Sequence, residues 1–118
     1  MLGLILIDHG SRRAESNAAL ENMAGRVARL RPDAVVAAAH MEIATPDLAT
    51  AFADVVNRGA NQVMILPYFL GDGRHLTQDI PQLAAAAALP HPNVTYTIGA
   101  ALGPHDALAQ LLLERGGL

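Results

Sequence analysis

The sequence contains no cysteine and no lysine, and each absence excludes a class of chemistry. Without cysteine there is no disulfide framework, no thiolate metal site and no cysteine nucleophile. All eight basic residues are arginine, which excludes a Walker A loop and a Schiff-base mechanism, because both require lysine. We therefore expect a protein that does not use a P-loop to spend ATP, and our expectation for the whole chain is that it has no nucleotide cofactor.

Aromatic and charged residues are also scarce, since 3% of residues are aromatic and 16% are charged, against 52% that are hydrophobic. This composition is globular rather than disordered, and its core must be built from Ala, Val, Ile and Leu. A chain of 118 residues predicts a single domain, residues 1–118. The net charge of -3 and the lack of a basic cluster argue against a nucleic-acid partner.

Long hydrophobic runs are absent as well. The N-terminal run, Leu2–Ile7, is short, has no basic flank and is followed at once by polar residues. It fits a buried strand better than a signal peptide or a membrane span. We expect a cytoplasmic protein with no membrane partner.

Apolar runs alternate with amphipathic segments four times along the chain. The predicted strands are Leu2–Ile7, Ala34–His40, Gln62–Leu66 and Val94–Ile98. The residues expected to face the core from the four helices are Leu20, Met23, Val27 and Leu30, then Leu48, Phe52, Val55 and Val56, then Leu76, Ile80, Leu83, Ala84 and Ala87, and finally Leu108, Leu111 and Leu112. The alternation predicts an α/β fold, a three-layer domain with a four-stranded, mainly parallel sheet flanked by helices.

Local signals predict where these elements begin and end. Thr45 is expected to cap the second helix, with Pro46 at its first helical position, and Gly59 is expected to end it. The third helix is expected over about residues 75–88, with Pro81 in its first turns. The period-two alternation of the fourth strand places it near a sheet edge.

Polar residues follow three of the strands, and the carboxyl ends of parallel strands meet at one edge of the sheet. His9 follows the first strand, Glu42 the second and His75 the loop after the third. Two imidazoles and a carboxylate suit a divalent cation such as Co²⁺, Ni²⁺, Fe²⁺ or Zn²⁺. The sequence therefore predicts a metal site in which His9, Glu42 and His75 are the ligands and the candidate catalytic residues.

The other three histidines are weaker candidates. His40 ends an apolar run and is expected either to have a structural role or to contact a metal ligand without binding the metal itself. His91 lies between two prolines on a turn that should be exposed. His105 follows the fourth strand, where it could face the site or solvate the start of the last helix.

Several polar residues flank the two principal histidines. Arg12, Arg13 and Arg74 could hold the carboxylates of an acidic ligand or could be solvated surface charge. Ser11, with the glycine before it, could contact an anion at a helix N-terminus, although an ordinary strand-to-helix turn is the favoured interpretation. Asp79 lies four residues after His75 and could orient it, or it could simply favour the start of a helix.

Three segments of the chain carry a family resemblance. They are Leu6–Arg12 (LIDHGSR), Met41–Pro46 (MEIATP) and Leu66–His75 (LPYFLGDGRH), the last continuing to the DIP sequence of residues 79–81. Together these motifs resemble the short CbiX-type chelatases, and the resemblance covers nearly the whole chain.

The resemblance implies a class II, ATP-independent chelatase that inserts a metal into sirohydrochlorin or a similar tetrapyrrole in cobalamin- or sirohaem-type biosynthesis. It implies that His9 and His75 handle the metal and that Glu42 contributes to the metal site or to proton removal. The metal is then a substrate, with Co²⁺ expected first and Fe²⁺ or Ni²⁺ as alternatives. Larger relatives carry two such domains, so a chain with one chelatase-like half domain is expected to form a homodimer.

Two other functions compete with this interpretation. A carrier could bind the metal or the tetrapyrrole without turnover. A phosphotransfer enzyme of the histidine phosphatase type also places His-Gly after a first strand. That chemistry favours an arginine directly before the histidine, whereas here Asp8 precedes His9.

Overall fold

The computed structural model describes the backbone of residues 1–118 and the side chains of residues 1–74 and 76–118. Four strands alternate with four helices, which confirms the α/β pattern. In chain order they are β1 (Leu2–Asp8), α1 (Ala14–Leu30), β2 (Ala34–His40), α2 (Leu48–Asn57), β3 (Gln62–Pro67), α3 (Ile80–Ala88), β4 (Thr95–Ile98) and α4 (Asp106–Arg115). A π-helical turn, His75–Asp79, leads into α3. Among the described helices none is long and apolar enough to span a bilayer.

The four strands form one sheet in the order β2-β1-β3-β4, and every pairing is parallel. β1 lies in the middle, where residues 3–7 are buried on both faces of the sheet. Continuous burial explains why this strand is uniformly apolar. β4 pairs with β3 alone, so its predicted place at an edge is confirmed.

Helices cover both faces of the sheet and complete the three predicted layers. On one face α2 and α3 pack together over Ile5, Ile7 and Ile65. On the other face α1 buries Leu20 and Ala24 against the sheet. With few large side chains available, small residues allow the close packing of these layers.

The predicted start of α2 is wrong. Asp47, not Thr45, is the N-cap, and its carboxylate accepts a hydrogen bond from the Thr50 amide at 2.9 Å. Pro46 lies outside the helix because its carbonyl accepts a hydrogen bond from the His40 amide at 2.9 Å, which ties it to the end of β2. At the other end Gly59 has a positive φ of 110°, as predicted for the residue that ends this helix.

The last two helices also depart from prediction. The segment expected as one helix over 75–88 begins with the π-helical turn, and Pro81 lies at the first turn of α3. The inward orientation predicted for Leu111 and Leu112 is wrong, since they are 43% and 73% exposed. α4 follows the edge strand and has no fully buried residue, so its apolar stripe is only partly covered by the sheet.

Candidate functional site

The carboxyl ends of β1 and β2 continue to pair beyond the regular strands. The Met41 amide donates to the Asp8 carbonyl at 2.9 Å, and the Glu42 amide donates to the His9 carbonyl at 3.2 Å. These two bonds extend the parallel register into the loops. As a result, His9 and Glu42, which are 33 positions apart, are held side by side at this edge.

The side chains of His9 and Glu42 form a close pair. His9 Nε2 lies 3.0 Å from Glu42 Oε1, and the two side chains are 41% and 60% exposed. The other ring nitrogen, Nδ1, lies 3.4 Å from the carbonyl oxygen of Gly10. A contact this exposed contributes little to stability, and its exposure leaves both groups accessible to a ligand.

The backbone around Glu42 is tightly constrained. Gly10 has φ +92°, and a Cβ at this position would overlap the carbonyl oxygen of Glu42. The next residue, Ile43, has φ +74° although it is β-branched and 59% exposed. The Ala44 amide closes the turn by donating to the Glu42 carbonyl at 2.8 Å. Such strain is typical of functional sites, and here it lies directly beside a candidate ligand.

A second pair, formed by a buried histidine and a partly buried aspartate, lies at the last residues of β1 and β2. His40 is 1% exposed, and its Nδ1 is 2.6 Å from Oδ1 of Asp8. The two residues are register partners in the β1–β2 ladder. The sequence prediction that His40 is not a principal ligand fits this burial, but the prediction missed Asp8. The available signal was that both polar residues end apolar runs of equal length.

Ser11 organises the turn into α1. Its hydroxyl accepts a hydrogen bond from the Arg13 amide at 3.0 Å. The Asn17 side chain accepts from the Ser11 amide at 3.0 Å and donates to the Ser11 carbonyl at 2.7 Å. This geometry is that of a strand-to-helix turn, the interpretation favoured from sequence. Asn17 was not predicted, because nothing in its spacing marks it.

The three flanking arginines differ in their surroundings. Arg13 pairs with Glu15 through Nη2 at 2.7 Å and Nε at 2.9 Å. A backbone hydrogen bond and then this arginine hold the pKa of the Glu15 carboxyl below its usual value. Arg12 and Arg74 are exposed. Arg13 is exposed too, but its guanidinium is held by Glu15, so those of Arg12 and Arg74 are more available to an acidic ligand.

The third predicted ligand, His75, has a side chain that lies outside the described residues. Its backbone opens the π-helical turn that ends at Asp79. Asp79 and Glu42 line the same cavity of about 390 Å³, so two carboxylates face one space. Within residues 1–74 and 76–118, no three metal-binding side chains form a cluster. The orientation of His75 by Asp79 stays a prediction.

The remaining histidines lie outside this group. His105 caps α4, with Nδ1 accepting a hydrogen bond from the Ala107 amide at 3.0 Å, which favours the second of its two predicted roles. His91 is half-buried rather than exposed, and its ring stacks on Phe52 with centroids 5.6 Å apart. It follows α3 and precedes β4, at the amino edge of the sheet. The candidate ligands remain those predicted from sequence, His9, Glu42 and His75.

Comparisons with known proteins point to one family. The family model described as CbiX matches residues 3–116. A chloroplastic sirohydrochlorin ferrochelatase from Arabidopsis thaliana is 42% identical over 113 residues, which is 96% of this chain and 50% of that protein. A sirohydrochlorin cobaltochelatase from Methanococcoides burtonii is 31% identical over 97% of this chain and 93% of its own length.

Solved structures share the fold. A CbiX protein from Marinobacter aquaeolei superposes with a TM-score of 0.83 at 28% identity and covers 99% of this chain and 95% of its own. The sirohydrochlorin chelatase SirB from Bacillus subtilis subspecies spizizenii, solved with cobalt, gives 0.85 at 22% identity. This chain spans half of that protein and half of the Arabidopsis relative.

Proposed function

The chain belongs to the CbiX family, and from that premise we propose that it is a sirohydrochlorin chelatase, a lyase that inserts a divalent metal into a tetrapyrrole without ATP. The observation that carries the proposal is the exposed pair of His9 Nε2 and Glu42 Oε1, 3.0 Å apart. The names of the relatives, a ferrochelatase and a cobaltochelatase, supply the reaction class.

The spacing of this pair suits a metal ion. Two ligands bound to one ion at about 2.0–2.2 Å lie about 2.8–3.1 Å apart at adjacent octahedral positions and about 3.3–3.6 Å apart in tetrahedral geometry. One imidazole nitrogen and one carboxylate oxygen, with His75 as the proposed third ligand, suit Co²⁺, Fe²⁺ or Ni²⁺. We place Co²⁺ first because of the cobaltochelatase from Methanococcoides burtonii, in which the match covers 93% of that protein's own length.

The insertion reaction must strip water from the metal and remove two protons from pyrrole nitrogens. His9 and His75 would hold the ion while macrocycle nitrogens replace its other ligands. The Glu42 carboxylate lies beside His9 and is 60% exposed, so it can serve as a ligand or accept a proton from a pyrrole nitrogen of the macrocycle. The exposed geometry leaves room for a large planar substrate to approach.

The substrate is acidic, which gives the arginines a role. Arg12 and Arg74 would bind its peripheral carboxylates through bidentate hydrogen bonds. Arg13 would need to leave Glu15 to do the same, so we expect a smaller contribution from it. Ser11 would act mainly by shaping the turn that presents Arg12.

The assembly proposed is a homodimer of a single chelatase domain, residues 1–118. Two relatives are about twice as long as this chain, and in a single-length chain a second copy would take the place of their other half. The exposed leucines of α4 and the apolar groove between α1 and α4, about 370 Å³, provide a surface for it. A cytoplasmic location stays a prediction, since the Arabidopsis relative is chloroplastic.

The test is a turnover assay on the purified chain with sirohydrochlorin and Co²⁺, Fe²⁺ or Ni²⁺, without ATP. We expect the absorbance of the metallated macrocycle to grow over many turnovers per chain. A carrier would give a spectral shift that stops at one equivalent. That result, with every metal, would replace the chelatase proposal by the carrier.

A further inference from the structure

Each member of the Asp8–His40 pair, in which His40 is buried and Asp8 is partly buried, is close in sequence to one member of the exposed pair. Asp8 directly precedes His9, and His40 lies two residues before Glu42. We propose that Asp8 and His40 are positioning residues that hold the two strand ends, and with them His9 and Glu42, at the separation that a metal ion requires. This inference rests on the proposed function, because it concerns the residues that support the proposed ligands His9 and Glu42.

The environment of His40 makes a purely stabilising role a poor explanation. It is the buried polar residue of the described core, which otherwise consists of apolar side chains. Burying an imidazole against a carboxylate costs desolvation, and an apolar residue of similar volume is often no worse for stability. What a buried polar pair adds is a defined geometry, because it is satisfied in one arrangement only.

The pair also lies where that geometry matters. The Asp8 and His40 side chains connect β1 to β2 at 2.6 Å, at the last residue of each strand. Beyond this point the pairing continues through the Met41–Asp8 and Glu42–His9 backbone bonds and the contact between the His9 and Glu42 side chains. Catalytic groups must be held within about 0.5 Å of their working positions. We infer that the side-chain link between Asp8 and His40 adds to these contacts in fixing the separation of the strand ends to that precision.

The experiment measures Co²⁺ binding by the chain without tetrapyrrole, from the visible absorption of the bound ion, and then kcat and KM for insertion. His40→Leu and Asp8→Ala should each weaken Co²⁺ binding and lower kcat by about tenfold or more, as is typical when the groups behind a ligand are removed. Both should change the Co²⁺ spectrum, because the ligand geometry changes, and neither should alter KM for the tetrapyrrole. His40→Asn, whose amide can donate to Asp8 from near the Nδ1 position, should restore most of the loss.

Val63→Ala is the matched control, because Val63 is fully buried at the start of β3, far along the sheet from the site. It should lower stability and leave the Co²⁺ affinity and spectrum unchanged. The inference would be overturned if His40→Leu and Asp8→Ala both bound Co²⁺ as tightly as the wild type. It would also be overturned if Val63→Ala lost as much Co²⁺ affinity as they do. If His40→Leu does not fold, Asp8→Ala decides, since Asp8 is 21% exposed and tolerates truncation better.

The two proposals fail in different ways. If the wild type inserts metal and both pair variants behave like it, only the positioning role is wrong. If the wild type never inserts metal but the pair variants weaken Co²⁺ binding, the chelatase proposal is wrong and the pair still positions a cation site.

Discussion

At the scale of single residues, Gly10 occupies a position that other residues cannot adopt without strain. Its φ of +92° is unfavourable for L side chains, and a Cβ would overlap the Glu42 carbonyl oxygen. We predict that Gly10→Ala lowers the free energy of unfolding by about 2 kcal/mol or more. It should also abolish most metal insertion, because relief of the overlap must move Glu42. Urea denaturation and the insertion assay measure the two effects.

Gly25 provides the control for this substitution. It lies within α1, and an added Cβ would meet no atom within 4 Å. Gly25→Ala should therefore stabilise the protein by about 0.5–1 kcal/mol, the helix preference of alanine, with unchanged activity. A Gly10→Ala protein as stable as Gly25→Ala would contradict the described contact between the two strand ends.

The positions of functional residues could be predicted from sequence where those residues directly follow a strand. The meeting of His9 and Glu42 could be predicted because parallel strands bring their carboxyl ends to one edge. The ends of two apolar runs marked Asp8 and His40, but their pairing could not be assigned in advance, because it depends on the exact β1–β2 register. Nor could the positive φ of Ile43, since a β-branched residue carries no signal for that conformation.

At the scale of elements, the N-cap of α2 is a pH-sensitive feature. The hydrogen bond from the Thr50 amide holds the pKa of the Asp47 carboxyl below its usual value of 3.8. A lowered pKa means that Asp47 stabilises the fold above its unfolded-state pKa and that this contribution is lost as the pH falls through the lower folded-state pKa. Asp47→Ala should cost about 1 kcal/mol at neutral pH, and the difference from wild type should shrink in acid.

Unfolding measured from neutral pH to below 3.8 checks this prediction. Asp47→Asn keeps a cap acceptor without a titrating charge, so its stability relative to Asp47→Ala should not vary with pH. A wild-type advantage over Asp47→Ala that persists undiminished in acid would show that the carboxylate is not what stabilises the helix start.

Element types were easier to predict than element boundaries. Apolar periodicity identified all four strands and the four helices, because burial on one or both faces dictates it. The Thr45–Pro46 signal for a helix start was overridden by a contact between Pro46 and the end of β2, which no local pattern reports. The π-helical turn before α3 also escaped prediction, since one wider turn barely alters the spacing of apolar residues.

At the scale of the whole molecule, the exposed face of α4 predicts self-association. Leu112 is 73% exposed and lines an apolar groove of about 430 Å³ with Leu108 and Leu111. The sequence pattern of α4 indicates that this face should be covered, but it does not identify what covers it. We predict a homodimer in solution that Leu112→Glu converts to a monomer with reduced insertion activity.

Light scattering on the protein as it elutes from a size-exclusion column measures its mass in solution, and so distinguishes the dimer from the monomer. Leu89→Glu is the control, because Leu89 is 82% exposed at the end of α3, on the opposite face of the sheet, and it should leave the dimer intact. A fully active wild-type monomer would rule out the homodimer as the working form.

The central claim is that His9 delivers the metal, and the most direct measurement is the initial rate of Co²⁺ insertion into sirohydrochlorin by His9→Ala. His91→Ala is the matched control, since it removes a histidine that stacks on Phe52 away from the site. We predict that His9→Ala loses at least about 100-fold in rate, the scale of removing a group that acts on the reacting atoms, while His91→Ala retains most activity. A His9→Ala rate close to that of the wild type would contradict the account.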